Sequence, residues 1–128
     1  MRLLLDTHAF LWWLAGDAKR LSRRARQAIG NSENDVYVSA ASVWEIAIKH
    51  RLGKLDATAL LGHTSRVIAG QAFLTLDMTI DHAERAGVLP GDHKDPFDRM
   101  LIAQAQAEHL TLVSNETMFD EHGVSRLW

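Results

Sequence analysis

The chain contains no cysteine. Disulfides and thiolate zinc sites are thereby excluded, and nothing points to an oxidising compartment. Proline is almost missing, with only Pro90 and Pro96 present. No Pro/Gly-rich linker, repeat or low-complexity stretch divides the 128 residues, so a single domain over 1–128 is expected. No apolar run approaches the roughly 20 residues of a membrane-spanning helix. The first apolar stretch is interrupted at Asp6 and His8, and no small-residue cleavage pattern follows it. No signal peptide is read there, no membrane contact is expected, and the expected location is cytoplasmic. An excess of positive charge is missing as well. At a net charge of −2 the whole molecule has no basic footprint for nucleic acid. Binding a polyanion would require local basic patches or a bound cation.

What is present is apolar material in short, separated pieces. Hydrophobic residues make up 47%, and a chain of this size buries roughly two-thirds of its unfolded surface, enough for an unaided core. Leu3 to Leu5 is apolar without alternation, as in a strand covered on both faces. Thr7 to Leu14 and Leu21 to Ile29 have helical spacing, the second stopped by Gly30. Val36 to Val38 is a second strand. Ser39 or Ser42 opens a helix through Arg51 that Gly53 ends. Thr58 to Gly70 is expected as a helix, Ala72 to Leu76 as a strand, and Thr79 to Ala86 as a helix stopped at Gly87. Leu89 to Asp92 is a turn. Asp95 or Pro96 starts a long helix to His109, followed by a strand at Thr111 to Val113 and a further one at Val124 to Leu127. Strands separated by helices predict an α/β fold, a parallel sheet of four to five strands with helices on both faces.

Acidic residues recur where strands end. Asp6 directly follows Leu3 to Leu5, and a carboxylate there is costly unless something pairs with it. Glu45 follows the second strand through Ser42. Glu116 follows the strand at 111–113 through Ser114 and Asn115. Asp95 and Asp98, three apart, open the long helix on a shared face. In a parallel sheet all strand exits lie on one edge, where ligands bind in open α/β sheets. Each acid also has an ordinary reading. Asp6 and Asp95 suit helix caps, Glu45 suits an i, i+4 pair with Lys49, and Glu116 suits a solvated first turn. Together they suggest a carboxylate cluster around a hard cation such as Mg²⁺ or Mn²⁺, because close carboxylates otherwise repel. The seven histidines show no metal-ligand spacing of the His-Glu-x-x-His kind.

Five stretches carry a family resemblance, in order along the chain: Leu4 to His8, Ser39 to Ile46, Gly87 to Pro90 with His93 to Arg99, Ile102 to Ala105, and Leu112 to Glu116. From Met1 to Trp128 the chain resembles PIN-domain proteins, and most of all the bacterial VapC-like toxins. The resemblance implies a three-layer α/β/α sandwich and a metal-dependent endoribonuclease, the toxin of a toxin–antitoxin pair. It places the family's acidic residues on Asp6, Glu45 and Asp98. The fourth is usually an Asp two residues after a Thr or Ser; here Ser114 is followed by Glu116. Under this reading Asp6 and Asp98 are the principal ligands of Mg²⁺ (or Mn²⁺). Glu45 and Glu116 hold metal waters, and Thr7, Ser42, Asp95 and Ser114 stand behind them. Asp95 is an extra acid beside the site.

The implied partners are an RNA substrate, a cognate antitoxin and a second copy of the chain. Single-stranded RNA is favoured because its exposed bases can stack on side chains. Two basic groups, Lys19 to Arg26 and Lys49 to Lys54, could meet phosphates or be plain solvated helix faces. Trp12, Trp13 and Trp44 could stack on bases, or serve core or partner contacts. The apolar run Phe10 to Leu14 suggests an exposed interface patch in a homodimer. Two other classes compete. One is a catalytically inactive PIN-fold scaffold that binds a partner. The other is a haloacid-dehalogenase-like phosphatase, whose nucleophile needs a second Asp two residues on, where this chain has His8.

Overall fold

The structure is a computed structural model describing residues 1–128. Five strands form one sheet in the order β3-β2-β1-β4-β5. They are β1 (Arg2–Leu5), β2 (Asp35–Ser39), β3 (Leu74–Leu76), β4 (Thr111–Val113) and β5 (Arg126–Leu127). Every neighbouring pair is parallel, and Leu5 stands opposite Val38 on one side and Val113 on the other. The central strand β1 therefore ends level with β2 and β4. Leu3, Leu4 and Leu5 are all fully buried. Leu3 and Leu5 face one core with Val36, Val38, Phe10 and Ile46. Leu4 faces a second core with Leu101, Ile102, Leu112 and Phe119. Alternating side chains of one strand thus enter two cores, which is why an uninterrupted apolar run was needed here.

Six α-helices cover the sheet: α1 (Thr7–Ala15), α2 (Arg23–Gly30), α3 (Ala40–Arg51), α4 (Thr64–Gly70), α5 (Ile80–Val88) and α6 (Pro96–Glu108). Short polar side chains set their starts. Asp6, Ser22, Ser39, Thr79 and Asp95 each accept a backbone N–H from the first turn. Of the alternatives in the sequence, Ser39 and not Ser42 caps α3, and Asp95 caps α6 with Pro96 at its first position. The expected α/β sandwich is present, with five strands.

Some boundaries differ. The helix expected over 58–70 starts only at Thr64. Before it, the Asp56 carboxylate turns back onto the Thr58 N–H and hydroxyl, and Gly62 takes φ +87. Both features divert the backbone from helical hydrogen bonding. Gly87 does not stop α5, which runs on to Val88. The segment Phe10–Leu14 is also corrected. Phe10 is fully buried, and Leu11, Trp12, Trp13 and Leu14 pack against the larger core. Most of this segment's apolar surface is therefore spent on the core, with Leu11 to Leu14 left partly exposed. The large exposed apolar side chains lie elsewhere, among them Trp44, Leu52, Met78, Ile80 and Val88. No helix is long and apolar enough to cross a membrane.

Candidate active site

The parallel register delivers the ends of β1, β2 and β4 to one edge of the sheet, and each leads directly into a polar residue. Asp6 follows β1, and its backbone N–H donates to Val113 O at 3.1 Å, locking it to the end of β4. Ser114 follows β4. Ser39 ends β2, so Ser42 and Glu45 fall on the first turns of α3. Helix α6 descends from this edge to feed β4, which puts Asp95 and Asp98 at the same end.

Asp6 is buried at 4% exposure and caps α1, accepting from Ala9 N–H at 2.7 Å. Burial pushes its carboxyl above the usual carboxylate range; hydrogen bonds from Ser114 and Ala9 oppose that, and the charge of Glu116 adds to it. Asp98, in the first turn of α6, is pushed up to about 6. Burial is again the main cause, the His93 hydrogen bond opposes it, and the charges of Asp95 and Glu116 reinforce it. One oxygen of Asp98 lies 2.8 Å from His93 Nε2. Asp95 accepts from the N–H groups of Phe97 and Asp98 at 2.9 and 3.1 Å, so its oxygen is committed to the α6 cap.

Glu45 is held from both sides. The Thr7 hydroxyl donates to its Oε1 at 2.6 Å and lies 3.0 Å from the Ser42 hydroxyl. Lys49 Nζ meets Oε2 at 2.8 Å. The hydrogen bond to Glu45 raises the Lys49 ammonium above its ordinary value against the effect of burial, with the charges of Glu45, Asp95 and Asp98 adding to the rise. Glu116 is half-buried. Its N–H donates to Ser114 Oγ at 3.0 Å, and its Oε1 stands 3.8 Å from His8 Nδ1.

Electrostatic influence thus links Asp6 with Glu116, Glu116 with Asp98, and Asp98 with Lys49, the partner of Glu45. In these rotamers no three acidic or imidazole groups stand close enough to hold one ion between them. The donor chemistry nonetheless suits a hard cation: oxygen ligands only, two of them held above their usual titration range by burial and like charge. The ordinary readings also hold, since Asp6 and Asp95 do cap helices and Glu45 does pair with Lys49. A capping carboxylate keeps a second oxygen, so the two roles coexist. Three neighbours of the acids were not singled out from the sequence as site residues: His8, Lys49 and His93. The last reaches Asp98 because Arg99 clasps the preceding loop, donating to the carbonyls of Ala86, His93 and Leu89.

A family model of the PIN domain matches residues 3–124, and the chain belongs to the PIN domain family. No curated protein matches it in sequence. Among solved structures it is similar to FitAcB from Neisseria gonorrhoeae, with 22% identity, a TM-score of 0.71, and 98% of this chain and 96% of that one covered. It is similar to VapBC2 from Rickettsia felis bound to a DNA fragment from their promoter, at 17% identity and TM-score 0.69, covering 100% and 99%. It is also similar to the sarcin-ricin loop cleaving toxin VapC20 of Mycobacterium tuberculosis, at 17% identity and TM-score 0.61, covering 95% of each chain. At such identities the likeness is one of fold.

Proposed function

We propose that this chain is a metal-dependent endoribonuclease acting as the toxin of a toxin–antitoxin pair. The carboxylate cluster carries the reading: Asp6, buried, and Asp98, half-buried, both have carboxyls raised above their ordinary range, chiefly by burial and further by neighbouring negative charge, at the strand-exit edge of a PIN domain. Such frustration is expected where a cation completes the site. The similar structures add support, since one is a toxin that cleaves the sarcin-ricin loop.

Asp6 and Asp98 would hold Mg²⁺ or Mn²⁺, with Glu45 and Glu116 on its waters. When bound, the ion supplies charge neutralisation at the phosphate and an activated water. The chain's own groups do the positioning. Thr7 and Lys49 fix both oxygens of Glu45. His93 orients Asp98, and Ser114 orders the turn that presents Glu116. Glu116 and Glu45 are the groups available to receive a proton from the attacking water. A cognate antitoxin and a second copy of the chain belong to the same reading as partners. Membership of the PIN family removes the phosphatase alternative.

The test is cleavage of single-stranded RNA with Mg²⁺ or Mn²⁺, with EDTA and Asp6→Asn as controls. Cleavage that both controls abolish is expected. Cleavage that survives either one overturns the metal site, and a folded chain that binds a partner but never cleaves RNA is the inactive scaffold.

A further inference from the structure

Beside the carboxylates, between α1 and the segment that follows α3, lies a cavity of about 630 Å³. That is within the roughly 300–1,000 Å³ of ordinary small-ligand pockets. Its lining is mixed. Thr7 and Lys49 belong to both cavity and carboxylate cluster, so the two are continuous. His8 and Trp12 line it one helical turn apart, their rings 5.4 Å apart at 14° in a stacked pair. The Trp12 indole is anchored behind, edge-on to Trp128 at 5.9 Å, while half of the His8 side-chain surface is open. Arg20 and Lys54 supply positive charge at the rim. Asp17 and Asp56 also line it: their carboxylates are engaged by the N–H groups of Lys19, Arg20 and Thr58 and by the Thr58 hydroxyl, and the exposed Arg20 side chain rests 3.5 Å from Asp17 Oδ2, a pairing that a phosphate would have to displace.

A flat ring platform, flexible cations and a reactive edge in one groove match the parts of a nucleotide. We infer that this cavity is a nucleotide subsite. One base stacks on the His8–Trp12 pair, and the phosphates on either side meet Arg20 and Lys54. The strand then runs on past Thr7 and Lys49 to the carboxylates. This rests on the nuclease reading for its purpose but not for its test. Stacking accepts any base, so the subsite adds affinity for unpaired strands rather than a sequence preference. It also answers the chain's net negative charge, because the cations needed are local.

The test is binding of a fluorescein-labelled, mixed-sequence single-stranded RNA decamer to the full chain in EDTA, by anisotropy over a range of KCl. His8→Ala is expected to weaken binding about ten-fold and Trp12→Phe about three-fold. His8→Phe, which keeps a flat ring without its nitrogens, restores the affinity. Arg20→Gln with Lys54→Gln lowers the salt slope by about 1.4, the share of two phosphate contacts on a single strand. Arg85→Gln, on α5, changes nothing. With metal present, Trp12→Phe and the Arg20→Gln, Lys54→Gln pair raise KM and leave kcat alone. If wild type cleaves RNA while these variants match its affinity and slope, the subsite is wrong and the nuclease reading stands. If the dependences appear but RNA is never cleaved, the subsite stands and the nuclease reading fails. Variants that keep RNA affinity but lose binding of a partner protein overturn the subsite in favour of a protein-docking groove. No RNA binding by wild type also overturns it.

Discussion

Two polar clusters lie below the surface of this molecule, and they differ in how their charges are disposed. In one, Ser39 Oγ donates to Gln104 Oε1 at 2.6 Å, and Gln104 Nε2 donates to Asp77 O at 3.3 Å. His82 accepts the Thr79 N–H on Nδ1 at 3.1 Å and meets Glu108 Oε1 through Nε2 at 2.9 Å. Each donor there faces an acceptor, and the one carboxylate sits at the rim. The other cluster gathers Asp6, Asp98, Asp95 and Glu116; burial raises the carboxyls of Asp6 and Asp98, the charge of Glu116 adds to both rises, and that of Asp95 adds to the second. Hydrogen bonding does not separate the two, because no buried side-chain nitrogen or oxygen lacks a partner. Like charge does. The first cluster ties α3, α5 and α6 together. The second costs stability, and local rules broken without an internal remedy mark sites where something external completes the structure.

Removing one charge from the second cluster should show the largest contrast. Asp98→Asn keeps the shape and relieves repulsion, so the metal-free protein should melt at a higher temperature. RNA cleavage should fall by orders of magnitude, and Mg²⁺ should raise the melting temperature of wild type more than that of the variant. Equal Mg²⁺ responses in the two proteins would count against Asp98 as a ligand.

The mirror experiment is Gln104→Leu. It strands the Ser39 hydroxyl and the Asp77 carbonyl in the interior, at a cost of about 1–3 kcal/mol. Denaturant unfolding should show that loss, while kcat per folded molecule stays the same. A fall in kcat at full folding would mean that the first cluster also serves the reaction.

Acidity sharpens the comparison further. Asp98 titrates near 6 in the folded chain against an ordinary 3.8. The folded state therefore holds this proton more tightly than the unfolded state. Its stabilising contribution is fully present below the unfolded value and is lost as pH rises through the folded one. Metal-free stability should then decline between about pH 4 and pH 6 by about 2 kcal/mol relative to Asp98→Asn. Asp6, raised chiefly by burial, acts in the same direction. Subtracting the variant's curve cancels groups of opposite sign, such as Asp56. A difference curve that is flat, or that rises with pH, would refute the raised titration of Asp98.

The legible parts of the sequence were those governed by local rules. Leu3 to Leu5 could only be a doubly covered strand, and Ser39, Asp95 and Thr79 capped the helices they preceded. The parallel register followed from the alternation, and with it the common edge for Asp6, Glu45, Asp98 and Glu116. Tertiary choices stayed hidden. Hydrophobicity at Phe10 to Leu14 does not say whether a residue faces the core or a partner. The turn at Asp56 to Gly62 depends on one side chain folding back. His93 finds Asp98 only because Arg99 gathers the carbonyls of Leu89 and His93 in the loop and of Ala86 at the end of α5, although the run from His93 to Arg99 had already been part of a motif. His8 and Lys49 matter through rotamers, which no spacing rule fixes.

The smallest expected effect concerns which acid completes the second cluster from the β4 side. Glu116, Asp120 and Glu121 all follow β4. Glu116 is tied to the strand end through Ser114 Oγ, and its charge reaches both Asp6 and Asp98. Asp120 points elsewhere: its two oxygens accept from Arg126 Nε and Nη2 at 2.8 and 3.1 Å. That pairing holds its carboxyl below the usual range. Arg126 also donates to Ser114 O at 3.0 Å, so Asp120 serves the β4–β5 end only at one remove. Glu121 is exposed on the same turn. A Glu is one methylene longer than an Asp and, under the proposed reading, would reach the ion through a water. Glu116→Asp should therefore keep much of the cleavage rate, and Glu116→Gln should lose a large part of it. Asp120→Asn should be nearly silent in the same assay, shifting at most the melting temperature. Loss of cleavage in Asp120→Asn with full activity in Glu116→Gln would move the fourth acid to Asp120. Asp6, Glu45 and Asp98 would keep their places, because other elements of the chain position them.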